Sequence, residues 1–300
     1  MPPSTTPTGV SAILSASSSS SSSSTPTRSA LSLFALPSRV AIITGAHRGI
    51  GLEIALAYAE AGAIVYCLDL PEKPDGDWVK VRDYVAALPP LSMASLTGQN
   101  ADDGKGKEIK GRLEYAHCDV TNQQAMFNLA ARIAEKEGRI DICFANAGIL
   151  SGAEVLDYPG EDFKKIIDVN INGALFTAQA AGREMAKRNI AGSIIFTASM
   201  SGSITNYGMH WTAYNTSKAA VIQMARSLAC ELGPKRIRVN SISPGYIYTE
   251  MTKSFLQNKP DLEKSWCAQN PLGRLGNPDE LRGVALFLAS DASTFCTGSE

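Results

Sequence analysis

The sequence predicts an α/β fold built on a doubly wound parallel sheet, and three observations carry that reading. From residue 39 onward, short β-branched runs alternate with longer stretches of helical periodicity. Several of the runs are apolar almost throughout, as strands covered on both faces are. Gly62, Gly138 and Gly233 stand where helix C-cap glycines would.

In chain order, the first 38 residues hold 14 Ser, five Thr, five Pro and one charge, Arg28. A stretch of that composition buries too little apolar surface to offset its chain entropy, so residues 1–32 are expected as a disordered tail and 33–300 as one catalytic domain with a small substrate lobe. Strands are expected at Val40 to Thr44, Ile64 to Leu68, Leu113 to Cys118, Ile140 to Ala145, Ser193 to Thr197 and Arg238 to Ile242. Helices are expected near Ile50 to Ala61, Asn122 to Glu137, Phe163 to Arg188, Tyr214 to Leu232 and Asp279 to Ala289. The interval between Asp69 and Leu113 exceeds one crossover, and reads as a short helix near Asp77 to Ala87 followed by an exposed loop.

Charge and composition narrow the function classes. With 28 Lys+Arg against 29 Asp+Glu the formal net charge is −1, which gives no electrostatic footprint for nucleic acid or a membrane surface. No run reaches the length of a membrane-spanning helix. The tail lacks acidic residues, as organellar import segments do, but its single Arg favours a solvated tail on a cytoplasmic protein over mitochondrial import. Six widely spaced cysteines without a C-x-x-C pair read as reduced, buried small hydrophobes. His47 and His117 have no partner at metal spacing, so no metal site is expected.

Directly after the first expected strand stands Thr44-Gly45-Ala46-His47-Arg48-Gly49-Ile50-Gly51, opening into an apolar helix. Glycines there permit a tight turn and close backbone approach to a pyrophosphate, and the helix N-terminus offers free N–H donors. Asp69, at the tip of the second strand, is placed for a ribose contact. Further on, Tyr214 and Lys218 lie four residues apart on one helix face, where an ammonium would lower the phenol's pKa toward a usable acid/base. Ser199 follows the fifth strand, where its hydroxyl could bind a substrate oxygen.

These residues, with Ala145-Asn146-Ala147-Gly148, Val169-Asn170-Ile171-Asn172-Gly173 and Pro244-Gly245-Tyr246-Ile247-Tyr248-Thr249, occur in the order of the short-chain dehydrogenase/reductases. The resemblance spans residues 33–298. It implies a Rossmann-type fold with Tyr214 as general acid/base and Lys218 lowering its pKa and binding the nicotinamide ribose. Ser199 would orient the substrate oxygen, and Asn170 would hold a water of the proton relay. It also implies cofactor contacts from Gly45, Arg48, Gly49, Ile50 and Gly51, from Asp119 and Val120 at the adenine, from Asn146 and Ala147, and from Ile247 and Thr249 at the carboxamide.

Two departures stand out. Family members usually have Asn where Ala145 stands. They also normally continue past Thr297-Gly298 into a last edge strand, so either the chain is truncated or mispredicted or the sheet edge is left open, and truncation is expected. Within the family the chain is most similar to the fungal polyol and ketose branch, which includes D-arabinitol 2-dehydrogenase, mannitol 2-dehydrogenase and sorbose reductase. The expected function is therefore interconversion of a secondary alcohol and a ketone by a homo-oligomer, on a polyol/ketose pair. The alternatives are a ketoreductase of secondary metabolism and a cofactor-binding sensor or scaffold without turnover. Asp69 favours NAD and Arg48 favours NADP; the carboxylate's repulsion of a 2′-phosphate is the stronger discriminator, so NAD is expected and NADP is the alternative. Tyr246, Tyr248, Met251, Phe255 and Trp266 could line a substrate pocket or form a packing face, and His210 and Trp211 could border the substrate.

Overall fold

The computed structural model describes residues 29–91, 109–257 and 259–300. Most of the expected tail, and residues 92–108 of the exposed loop expected between Ala87 and Leu113, lie outside the described residues. Six parallel strands, β1 (Val40–Thr44), β2 (Ile64–Asp69), β3 (Arg112–His117), β4 (Ile142–Ala145), β5 (Ser193–Thr197) and β6 (Arg238–Ile242), form one sheet in the order β3-β2-β1-β4-β5-β6. The order reverses between β1 and β4, where a cleft opens at the strands' carboxyl ends.

Strand alternation divides the core between the two faces. On β1, Val40 and Ile42 pack with α3 (Gln123–Glu137), α5 (Gly173–Lys187) and α6 (Thr212–Leu232) through Met126, Ala181 and Val221. Ala41 and Ile43 point the other way, toward α1 (Gly49–Glu60), α2 (Gly76–Ala87) and α9 (Arg282–Ala289) through Ile54, Trp78 and Leu288. Both faces are covered, so the strands carry few polar side chains. A separate small cluster, Trp211, Leu256 and Trp266 with Tyr246 and Phe255, holds the lobe of α7 (Glu250–Leu256) and α8 (Pro260–Ala268).

Several expectations need correcting. The helix expected over Phe163 to Arg188 is three pieces: α4 (Gly160–Ile167), a wide π-type turn over Asp168–Asn172, and α5. The apolar pattern runs through the break, but buried Asn170 needs partners on other elements, and the widened turn swings it to them. Gly138 and Gly233 are C-caps as expected, Gly138 left-handed and Gly233 right-handed; Gly233 opens a short 3-10 turn that ends at left-handed Arg236. The last helix begins as a 3-10 turn over Pro278–Leu281. Only Cys67, Cys118 and Cys143 are buried; Cys230 is exposed and Cys267 and Cys296 are half-exposed, since their elements present one face to solvent. The outer side of β6 is partly covered, because Gly298 N–H donates to the Val239 carbonyl at 2.7 Å and Ser241 N–H to the Ser299 carbonyl at 2.9 Å. No helix among the described residues is long and apolar enough to cross a membrane.

Candidate active site

The carboxyl ends of β1, β4 and β5 are tied together before any side chain reaches the cleft. Thr44 Oγ1 accepts from Asn146 N–H (3.1 Å) and Ala147 N–H (3.2 Å), and Asn146 Nδ2 donates to the carbonyls of Thr44 (3.0 Å) and Gly45 (3.1 Å). Thr197 Oγ1 then donates to Asn146 Oδ1 at 3.1 Å. Asn146, expected beside a cofactor, therefore spends its amide as a clamp on the loop after β1. Asp69 is fixed in the same way: its carboxylate accepts from His47 N–H (2.9 Å) and Leu70 N–H (2.8 Å).

A cavity of about 680 Å³ runs from this loop to α6. Of the predicted residues, Gly45, Arg48, Gly49, Ile50, Asp69, Asp119, Val120, Asn146, Ala147, Tyr214, Lys218 and Thr249 line it. Gly51 packs behind the loop, Asn170 and Ser199 lie buried beside the cavity, and Ile247 is held by its bridge to Gly276. Asp119 accepts from Thr121 N–H and Oγ1, and Thr249 caps α7 in a mutual capping box with Thr252.

At the far end, α6 brings Tyr214 and Lys218 to one face, with the ammonium 5.6 Å from the phenol ring centroid. Lys218 Nζ donates to the Thr197 carbonyl at 2.7 Å. The turn after Ser199 reaches α6 because Gly202 has no side chain: a Cβ there would meet the Lys218 carbonyl carbon at 2.7 Å. That approach brings the Ser199 hydroxyl close to the Tyr214 phenol. Burial raises the phenol's pKa, with the nearby Ser199 hydroxyl opposing, and burial lowers Lys218 to about 8. The net shift of Tyr214 is therefore upward, set by desolvation, and not the lowering expected from a neighbouring cation. Asn170 accepts from Ile149 N–H at 2.8 Å and donates to the Ile149 carbonyl and to Ser217 Oγ, both at 3.0 Å.

A family model described as Enoyl-(Acyl carrier protein) reductase matches residues 94–300. Sorbose reductase of Schizosaccharomyces pombe is 41% identical over 271 residues, covering 90% of this chain and 95% of that protein. Sorbose reductase of Candida albicans is 38% identical over 274 residues, covering 90% and 86%. A short-chain type dehydrogenase/reductase from Mycobacterium marinum has the same fold at a TM-score of 0.76 and 41% identity, covering 90% of this chain and 96% of that one.

The chain belongs to the short-chain dehydrogenase/reductase family. It is an NAD(P)-dependent oxidoreductase acting on CH–OH groups. The cleft of this dehydrogenase/reductase fits a nicotinamide dinucleotide by its own geometry. Gly49 has φ +58° and open space within 4 Å of where a Cβ would stand, so the backbone at the N-terminus of α1 is free to approach a pyrophosphate. Asp69, held by two N–H donors, still offers lone pairs to ribose hydroxyls.

Reading the sequence missed three participants. Thr44 stands there only as part of a motif, Ser217 only as a spacer between Tyr214 and Lys218, and His47 only as a residue without partners at metal spacing. His47 in fact pairs with Asp75, the N-cap of α2, at 2.9 Å. Trp211 packs edge-on to Tyr214 with ring centroids 6.3 Å apart, while His210 sits at the surface against Glu154. Among the described residues no His, Cys, Asp and Glu cluster could hold a metal ion.

Proposed function

We propose that this dehydrogenase/reductase interconverts a ketose and its polyol, with Tyr214 carrying the proton. The observation that carries the reading is the convergence of Tyr214, Lys218 and Ser199 at one end of the cavity, with a buried ammonium that a pure binding protein has no use for. A nicotinamide held in this cleft would supply or accept the hydride at the substrate carbon. In reduction Tyr214 Oη gives its proton to the carbonyl oxygen, and in oxidation it takes the hydroxyl proton back. Ser199 orients that oxygen. Lys218 holds a positive charge beside the phenol and would bind the nicotinamide ribose. Asn170's amide is committed to Ile149 and Ser217, so a relay water falls to its main-chain carbonyl.

Similarity to sorbose reductases and to the D-arabinitol 2-dehydrogenase of Scheffersomyces stipitis supports the polyol/ketose class. So does the lobe. Tyr246 stacks on Trp266 at 4.1 Å and Trp211 abuts both Trp266 and Phe255, so these rings pack on one another and the lobe meets the cavity through Thr249, Glu250 and Met251, two of them polar. Solved relatives bind either cofactor: a gluconate 5-dehydrogenase from Burkholderia cenocepacia holds NADP and a 7α-hydroxysteroid dehydrogenase holds NADH. For this chain we favour NAD, because Asp69 is fixed while Arg48 is exposed and can turn to solvent. A cytoplasmic homo-oligomer with an ordered domain from about residue 33 completes the proposal.

The test is Tyr214→Phe. Turnover of ketoses, followed by the absorbance of reduced nicotinamide, should fall by about 10²- to 10⁴-fold while NADH affinity stays within about twofold. Near-normal turnover would remove Tyr214 from the chemistry.

A further inference from the structure

We infer that Ser217 is a positioning residue for the proton relay, joining the wide turn that carries Asn170 to the first turn of α6 that carries Tyr214. The inference rests on the roles proposed above for Tyr214 and Asn170. Ser217 has no exposed surface. Its Oγ donates to the Tyr214 carbonyl at 2.7 Å and accepts from Asn170 Nδ2 at 3.0 Å.

The donation alone means little, since a serine within a helix commonly back-bonds to a preceding carbonyl. The acceptance is different, because its donor belongs to another element. Asn170 is 2% exposed, and its three bonds bracket the Ile149 backbone on one side and Ser217 on the other. Those bonds form one continuous path from the cavity wall at Ile149, through the wide turn, to the main chain of the residue proposed to carry the proton. Without the hydroxyl, one amide hydrogen of Asn170 loses its buried acceptor. The amide can then recover a partner only by rotating away from Ile149, which moves the turn on which the relay water would rest. Helix propensity does not oppose the change, since Ala is a better helix former than Ser.

The experiment compares wild type, Ser217→Ala and Ser217→Thr in full-length protein, with fructose and sorbose as ketose probes and NADH as reductant. If Ser217 positions the relay, Ser217→Ala keeps its NADH affinity within about twofold and loses about tenfold in kcat. Its solvent deuterium isotope effect on kcat rises, because proton delivery becomes slower, and Ser217→Thr regains most of the loss by restoring the hydroxyl. Wild-type kcat and isotope effect in Ser217→Ala would overturn the inference. So would a fall in kcat with an unchanged isotope effect, which is what loosened packing alone produces. If Ser217→Ala does not fold, Ser217→Cys, close in size but a weak acceptor, is judged by the same two readouts. Tyr214→Phe run alongside separates the two readings: an active Tyr214→Phe sinks the proposed chemistry, whereas an inactive one beside a wild-type-like Ser217→Ala sinks this inference only.

Discussion

Around the loop after β1, position is set by hydrogen bonds between main chain and short polar side chains: Thr44, Asn146 and Thr197 cross-link three strand ends, and two N–H groups hold Asp69. Across the cleft, the lobe of α7 and α8 is held by rings. Tyr246, Trp266, Trp211 and Phe255 pack on one another, while Tyr248 and Met251 remain 45% and 41% exposed. Hydrogen-bonded ties tolerate little displacement, because each broken one strands a buried group. Ring packing can readjust with a smaller penalty. The first construction suits a dinucleotide held in one place and the second a substrate that differs among relatives.

The sharpest probe of that contrast is Lys218, which stands where the halves meet. Lys218→Met should cost about 10²- to 10⁴-fold in kcat and yet stabilise the free protein. Its pKa falls from 10.5 in the unfolded chain to about 8 in the native one, so at pH 7 folding buries a proton-bearing group at a cost of up to about 3 kcal/mol. Between those two pKa values the unfolded chain binds more protons than the native one, so wild-type stability rises with pH there. The Met variant lacks that rise. Melting curves of both proteins from neutral to alkaline pH decide it, and a Met variant less stable at pH 7 would contradict the buried-charge account.

Next in size is a pair of glycines in the first turn of α1. At Gly51 a Cβ would run into the Gly45 carbonyl, whereas at Gly49 it meets nothing within 4 Å and only φ +58° opposes it. Gly51→Ala should weaken NADH binding by about 100-fold, from overpacking of about 3 kcal/mol. Gly49→Ala should cost about 1 kcal/mol of backbone strain and a few-fold in affinity. Equal losses by fluorescence titration would mean that the loop is less tightly tied than its bonds indicate.

On the other side of the cleft, Trp266→Ala should raise the ketose KM by about tenfold and leave NADH affinity nearly unchanged, because the lobe readjusts independently of the loop. A parallel loss of NADH affinity would show that the two halves are coupled. The smallest effect is expected for Asp69→Ser, which should move the ratio of kcat/KM values toward NADP by about three- to tenfold, near 1 kcal/mol. A wild type that already prefers NADP would place the decision with Arg48 instead.

The sequence alone determined whatever is encoded by local pattern. The β1 and β5 boundaries at Val40, Thr44, Ser193 and Thr197 could be read from β-branched runs, because strands buried on both faces have to be apolar along their length. The glycines after β1 and the four-residue step from Tyr214 to Lys218 could be read because spacing fixes direction on a turn or a helix. Tertiary structure decided everything that depends on which elements meet. The apolar stripe gave no sign that residues 168–172 would open into a wide turn, since that break is driven by the buried amide of Asn170 finding Ile149 and Ser217 on other elements. Nor could spacing show that burial would raise the Tyr214 pKa, or that the aromatic residues of the lobe would face each other. Desolvation and ring packing depend on how neighbours from distant parts of the chain enclose a group, and that enclosure exists only once the chain has folded.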